Sequence, residues 1–155
     1  MPVAWTVETL VRHLLDDHHA PLRERLPAVS ALAAEVVTEH ASDHPVLFEI
    51  RRVWEQFREE LEAHLDKEES ELFPHLLEGR RRSAIDEVMS VRFQHDDAAL
   101  RISMLRELAD GYGVPEDAGA AWRKLWAELQ QLEVDLKEHV HLEEGVLFPM
   151  LWPKD

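Results

Sequence analysis

One phrase occurs twice in this chain, and it limits the fold more than any other feature. His64-Leu65-Asp66-Lys67-Glu68-Glu69 runs on to Leu72-Phe73-Pro74, and His139-Val140-His141-Leu142-Glu143-Glu144 runs on to Leu147-Phe148-Pro149, each residue 75 positions after its counterpart. Two copies of His-x-x-x-Glu-Glu-x-x-Leu-Phe-Pro within 155 residues indicate a duplicated unit. Both copies sit in stretches where apolar residues recur every three or four positions, the period of a helix buried on one face. The repeating unit is therefore a helical hairpin, and two hairpins make four helices.

Punctuation marks the joints. Thr6 is a natural N-cap before Val7, Leu10, Val11, Leu14 and Leu15, and Glu8 falls where the helix dipole favours a carboxylate. This first segment continues to Val36, with Pro21 and Pro27 expected to kink or break it. Ala41 to Pro45 reads as a loop. A second helix is expected from Val46 to Leu77, with Phe48, Val53, Trp54, Phe57, Leu61, Leu65 and Leu72 facing inward. Gly79 and the arginines after it make a turn. A third helix is expected from Ser83 to Ala109, burying Ile85, Val88, Met89, Phe93, Ile102, Leu105 and Leu108. Gly111-Tyr112-Gly113-Val114-Pro115 is a strong turn signal, and the fourth helix ends near Leu147. No stretch alternates as a strand would. The pattern predicts an all-α, up-down-up-down four-helix bundle occupying residues 1–155 as one domain.

The phrase also carries chemistry. Residues i and i+4 share a helix face about 6 Å apart along the axis, so His64 with Glu68, and His139 with Glu143, present an imidazole and a carboxylate side by side. Glu69 and Glu144 are turned roughly 100° further round, towards solvent or the outer side of the ligands. In antiparallel neighbours, residues equidistant from the connecting loop stand level. The midpoints of His19 and His64, of His64 and His95, and of His95 and His139 all fall at or close to predicted turns, which puts these four histidines in one layer. His40 lies 21 residues beyond His19, about 30 Å along a straight helix, and so stands apart, as does His44. His18 points elsewhere around the helix, while His13, His75 and His141 are expected at the surface or behind the ligands. Asp16, Asp17, Asp96 and Asp97 are candidates to orient the imidazoles through their outer N–H groups. Phe73 and Phe148 are expected to wall the site.

Four histidines and two bridging carboxylates supply each of two metal ions with two nitrogens and two oxygens. An oxo or hydroxo bridge would leave one position per ion open to a small ligand. That set suits two iron ions, with zinc or manganese as alternatives. With no cysteine in the sequence, thiolate ligation and disulfides are excluded. A formal net charge of −15 argues against nucleic acid or anionic membrane as a partner. No apolar run long enough to span a bilayer is present, and a cytoplasmic location is expected.

At these residues the chain resembles the hemerythrin-like, HHE cation-binding proteins, and more narrowly the di-iron domain of the iron–sulfur cluster repair family. The resemblance covers nearly the whole chain: His19 before Leu26-Pro27, His64 with Glu68-Glu69, His95-Asp96-Asp97, His139 with Glu143, and both Leu-Phe-Pro triplets. It implies a non-heme di-iron centre with His19, His64, His95 and His139 as terminal ligands and Glu68 and Glu143 as bridges. It also implies a role in nitrosative or oxidative stress, by binding NO or O2 or by supplying iron to damaged clusters, with a redox partner or apo iron–sulfur proteins as partners. A metal- and diatomic-binding protein is expected rather than a turnover enzyme; an oxidase or NO reductase, or an O2- or iron-storing or sensing protein, are the alternatives. Two departures stand out. Repair proteins usually carry paired cysteines in an N-terminal domain, whereas these residues contain none, and the second histidine that oxygen carriers place four residues from the first on the third helix is absent, since Val91 and Ala99 flank His95.

Overall fold

The structure, a computed structural model, describes residues 4–152. It is all-helical, with no strand among those residues. Helix α1 comprises Val7–His13, a π-helical turn Leu14–His19 and Ala20–His40. Helix α2 comprises Val46–Lys67, a π turn Glu68–Leu72 and Phe73–Leu77. Helix α3 is the uninterrupted Arg81–Leu108. Helix α4 comprises Ala120–Leu142, a π turn Glu143–Leu147 and a closing 3₁₀ turn Phe148–Leu151. The helices form the expected bundle. α1 packs on α2 and α4, and α2 packs on α1 and α3.

Thr6 caps α1 as expected. Its hydroxyl accepts from the Thr9 N–H at 3.1 Å, and Thr9 Oγ1 accepts from the Thr6 N–H at 2.9 Å. The expectation of a break at Pro21 or Pro27 is not met, because α1 runs on to His40 through both. Proline lacks an N–H and crowds the carbonyl four residues back. At Pro21 the chain has already slipped into a π turn, where the Ala20 N–H reaches the Leu15 carbonyl, five residues back. The same device recurs twice. Phe73 reaches Glu68 just before Pro74, and Phe148 reaches Glu143 just before Pro149. Pro27 is exposed, on the solvent side of the helix.

The buried apolar residues form two clusters rather than one. The larger, built around Leu26, Trp54, Phe57, Leu65, Trp126 and Leu129, fills the end near the α1–α2 and α3–α4 loops. The smaller, built around Leu10, Leu14, Leu72, Phe73, Val88 and Phe148, fills the opposite end. Between them lies a layer of buried polar side chains: His19, His64, Glu68, His95, His139 and Glu143.

Three residues expected in the core lie outside it. Phe48 is 58% exposed, Met89 53% and Phe93 68%. Helical phase explains each. On α3 the inward stripe is Ala84, Val88, Val91 and His95, which turns Met89 about 100° away from Val88 and puts Phe93 about 160° from Val91 and His95. On α2, Leu47, Ile50, Val53 and Trp54 set the phase and leave Phe48 outside. Trp54, by contrast, is 1% exposed and donates its indole N–H to Ser30 Oγ at 2.9 Å. Trp54→Ala is expected to cost about 3–5 kcal/mol in urea unfolding. Phe93→Ala is expected to stay within about 0.5 kcal/mol of the parent, and a core-sized loss there would refute this phase for α3.

Candidate metal centre

Each helix contributes to the polar layer. α1 brings His19, the last residue of its π turn, while α2 brings His64 and Glu68, α3 His95, and α4 His139 and Glu143. Glu68 and Glu143 each open a π turn, so three of the four helices are locally rewound where they present a ligand-type residue. All six side chains are buried, and both carboxylates have no solvent exposure. The structure thus brings together the six residues expected from the sequence as metal ligands.

Glu68 Oε1 stands 3.0 Å from His64 Nε2, 3.3 Å from His19 Nε2 and 3.5 Å from His139 Nε2. Glu143 Oε1 stands 3.0 Å from His139 Nε2 and 3.1 Å from His95 Nε2. Two groups of ligand atoms converge, each mutually within 4.8 Å: His64, Glu68, His95 and Glu143 in one, His19, Glu68 and His139 in the other. Glu68 belongs to both.

Proximity alone does not satisfy these atoms. Both Glu68 oxygens, Glu143 Oε2, His19 Nε2 and His139 Nε2 are buried without a directed hydrogen bond. The outer nitrogens explain why. His19 Nδ1 lies 3.1 Å from Glu69 Oε2, and His64 Nδ1 lies 2.6 Å from Gln94 Oε1. Those oxygens accept, so in the neutral rings Nδ1 carries the proton and Nε2 turns a lone pair on the carboxylates. Lone pairs facing a buried anion are repulsive unless positive charge sits among them. The layer is shaped for cations.

Residues 10–151 match the family described as the hemerythrin HHE cation binding domain. The chain belongs to that family. Relatives include the iron-sulfur cluster repair protein ScdA of Staphylococcus epidermidis, 26% identical over 151 residues that cover 95% of this chain and 67% of that protein. The iron-sulfur cluster repair protein YtfE of an Enterobacter species is 31% identical over 140 residues, covering 90% of this chain and 64% of its own length. The iron-sulfur cluster repair protein DnrN of Neisseria gonorrhoeae is 33% identical over 138 residues, covering 89% of this chain and 87% of its own. The chain thus spans about two thirds of the staphylococcal and enterobacterial proteins and most of the neisserial one.

The groups behind the ring differ from those expected. Asp16, Asp96 and Asp97 are exposed, and Asp17 pairs with His13 at 2.7 Å. A helix neighbour one or two residues away points off at a large angle and cannot reach the ring beside it. The outer contacts come from the next helix instead. Glu69, itself gripped by Arg23 Nη2 at 2.6 Å, meets His19, and Glu144 stands 3.6 Å from His95 Nδ1. These two contacts are counterparts in the repeat. Gln94 was not singled out by the sequence, although its place beside His95 was a signal. Phe73 and Phe148 do wall the layer, with ring centroids 5.4 Å from His19 and 6.4 Å from His95.

His40 and His44 lie at the other end of the bundle, as expected. Their rings pack 5.0 and 4.9 Å from Trp122, and His40 Nε2 accepts from the Gly119 N–H at 3.4 Å, at the start of α4. His75 accepts from Arg80, and His141 is exposed. A cavity of about 570 Å³ opens between α2, α3 and α4 and reaches His64, His95 and His139. Phe57, Leu61, Ile102 and Leu136 line it, with Asp96, Asp97, Lys137 and Glu144 also contributing.

Burial and neighbouring charge set the protonation of the ring. Burial, reinforced by the charge of His64, drives His95 down to about 3, and burial also lowers His139 against the pull of Glu68. Burial lowers His64 too, but the charge of Glu68, with the hydrogen bond to Gln94, outweighs it and leaves the group raised. Glu68, which burial alone would raise, is held well below the carboxylate range by the charge of His64 and by the His139 and His19 rings beside it.

The signs follow. From 6.5 down to about 3, unfolded His95 binds a proton that folded His95 refuses. The stability tied to His95 is therefore full above 6.5 and lost as pH falls through that window, and His139 acts in the same sense. His64 opposes them, adding stability at low pH that is lost as pH rises through its raised pKa. Glu68 adds a loss only below 4.5. With two rings against one, the urea midpoint of metal-free protein is expected to be lower at about pH 5 than at about pH 7. An equal or higher midpoint at the acid end would contradict the buried neutral rings.

Proposed function

We propose that this protein holds two iron ions in the polar layer and acts in iron–sulfur cluster repair, binding a diatomic molecule such as NO or O2 at the centre. The observation that carries this is the pair of fully buried carboxylates, each with the Nε2 atoms of buried imidazoles 3.0–3.5 Å from its Oε1. His64 and His95 would hold one ion and His19 and His139 the other, with Glu68 and Glu143 spanning both. Bound iron supplies an exchangeable electron and a coordination position for a diatomic ligand. The protein's own contribution is to keep the rings neutral and aimed. Glu69 and Gln94 fix the proton on the outer nitrogens of His19 and His64, and Phe73 and Phe148 seal one side of the layer. The cavity gives a small molecule a way to His64, His95 and His139.

The repair role rests on the relatives' names. The neisserial repair protein, of which 87% aligns with this chain, supports placing that role within the four-helix unit. These residues supply no thiol to it, since none of them is cysteine.

Elemental analysis of freshly purified, iron-reconstituted protein is expected to give two irons per chain, and Glu68→Ala to abolish loading. Stopped-flow mixing of the reduced, loaded protein with NO is expected to change its spectrum within the mixing experiment. Steady consumption of NO or O2 with an external reductant would shift the reading to an oxidase or NO reductase, and an unchanged spectrum would sink diatomic binding altogether. Gln94→Leu frees His64 to rotate and is expected to weaken iron retention against a chelator by about tenfold or more, with the helical content unchanged.

A further inference from the structure

One ring of the layer lacks an outer partner. His19 Nδ1 meets Glu69 Oε2 at 3.1 Å, and His64 Nδ1 meets Gln94 Oε1 at 2.6 Å. His95 is 6% exposed, yet its buried Nδ1 has no hydrogen-bond partner among the described residues. Glu144 Oε1 stands 3.6 Å away, beyond hydrogen-bond reach. Glu144 is the counterpart of Glu69 in the repeat, and the two differ in what holds them. Arg23 Nη2 grips Glu69 at 2.6 Å, whereas Arg92 Nε lies 3.8 Å from Glu144. The gap at His95 is thus bounded by a ring nitrogen and a carboxylate, and both residues line the cavity between α2, α3 and α4.

That cavity is larger than a passage for NO or O2 requires. It measures about 570 Å³, where a water-sized molecule takes about 30 Å³ and sites for organic ligands run from about 300 to 1,000 Å³. The layer also has another approach, a smaller cavity of about 360 Å³ between α1 and α4 that reaches His139. The walls of the larger one are apolar: Phe57 and Leu61 of α2, Ile102 of α3, Leu136 and Val140 of α4. The charged side chains around those walls are already answered. Glu60 pairs with Arg101 and Glu133 with Arg106, while Asp96, Asp97 and Lys137 stand exposed to water. What is left is an apolar chamber with one unfinished polar corner, at His95 and Glu144.

We propose that this cavity binds an organic alcohol, its hydroxyl between His95 and Glu144 and its apolar body along Phe57, Leu61, Ile102 and Leu136. A cation held by Nε2 leaves the proton of the neutral ring on Nδ1, so His95 donates outwards, and the Glu144 carboxylate only accepts. A hydroxyl does both at once, accepting from His95 and donating to Glu144. An ammonium would meet His95 donor to donor, and a carboxylate would meet Glu144 acceptor to acceptor. A water molecule serves the polar corner but leaves the apolar walls wet, whereas an alcohol with a hydrocarbon body covers both. The direction of the His95 proton rests on the reading that the layer holds iron. Seated there, the alcohol lies across the approach to His64, His95 and His139.

Benzyl alcohol, toluene, benzylammonium and benzoate share one ring and differ at the polar end, which makes them the probes. In isothermal titration of the iron-reconstituted full chain, benzyl alcohol is expected to bind about tenfold or more tighter than each of the other three. Glu144→Leu is expected to bring benzyl alcohol and toluene within about twofold of each other, with toluene still bound. Ala63→Trp and Ala99→Trp, at two exposed alanines lining the cavity, are expected to abolish binding of both. Equal binding of benzyl alcohol and toluene by the parent chain, or tightest binding of either ion, would overturn recognition of a hydroxyl. Undiminished binding in both tryptophan variants would overturn the cavity as its place. Iron content of the same samples separates this proposal from the metal reading. Two irons per chain without a preference for the alcohol refute the alcohol site alone. A preference for the alcohol in a chain that loads no iron keeps the site and refutes the iron-holding reading, and a chain with neither refutes both.

Discussion

Two carboxylates buried without solvent, Glu68 and Glu143, are the constraint on which this bundle turns. Taking a carboxylate out of water is costly unless opposite charge compensates it, and among the described residues the ion-pair partners of Glu68 and Glu143 are histidines alone. The four imidazoles alone do not answer the need, because burial keeps His95 and His139 neutral. Folding energy and ion binding are therefore coupled in one place. The apolar clusters above and below make the layer dry, and the dry layer makes a cation worth holding.

Much of this was legible in the residues. The repeated phrase implies four helices, and the midpoints of the loops place His19, His64, His95 and His139 level. The rule of four residues put Glu68 beside His64 and Glu143 beside His139. What stayed hidden has identifiable causes. Proline reads as a breaker, yet Pro21, Pro74 and Pro149 each follow a π turn that had already released the hydrogen bond in question. In hindsight three prolines just beyond candidate ligands were the sign of those turns. Met89 and Phe93 were misplaced because α3 has apolar residues on two faces, and only His95 says which one is inside.

The groups behind the ring were the least legible, for a geometric reason. Sequence neighbours such as Asp96 and Asp97 invite pairing with His95, but a helix turns its neighbours away from one another. Contact across helices decides instead, and so Gln94 of α3 serves His64 of α2, while Glu69 of α2 serves His19 of α1. Such pairings depend on the rotation of each helix, which apolar pattern gives only coarsely.

The larger cavity adds a consequence of its own. It touches His64, His95 and His139 but not His19, which lies against Phe73. The two halves of a duplicated protein are thus unequal towards the outside. A small molecule arriving through the cleft meets His64, His95 and His139 before His19. The repeated phrase makes the two hairpins alike, and the cleft makes His19 and its counterpart His95 unlike, one held against Phe73 and the other facing the opening.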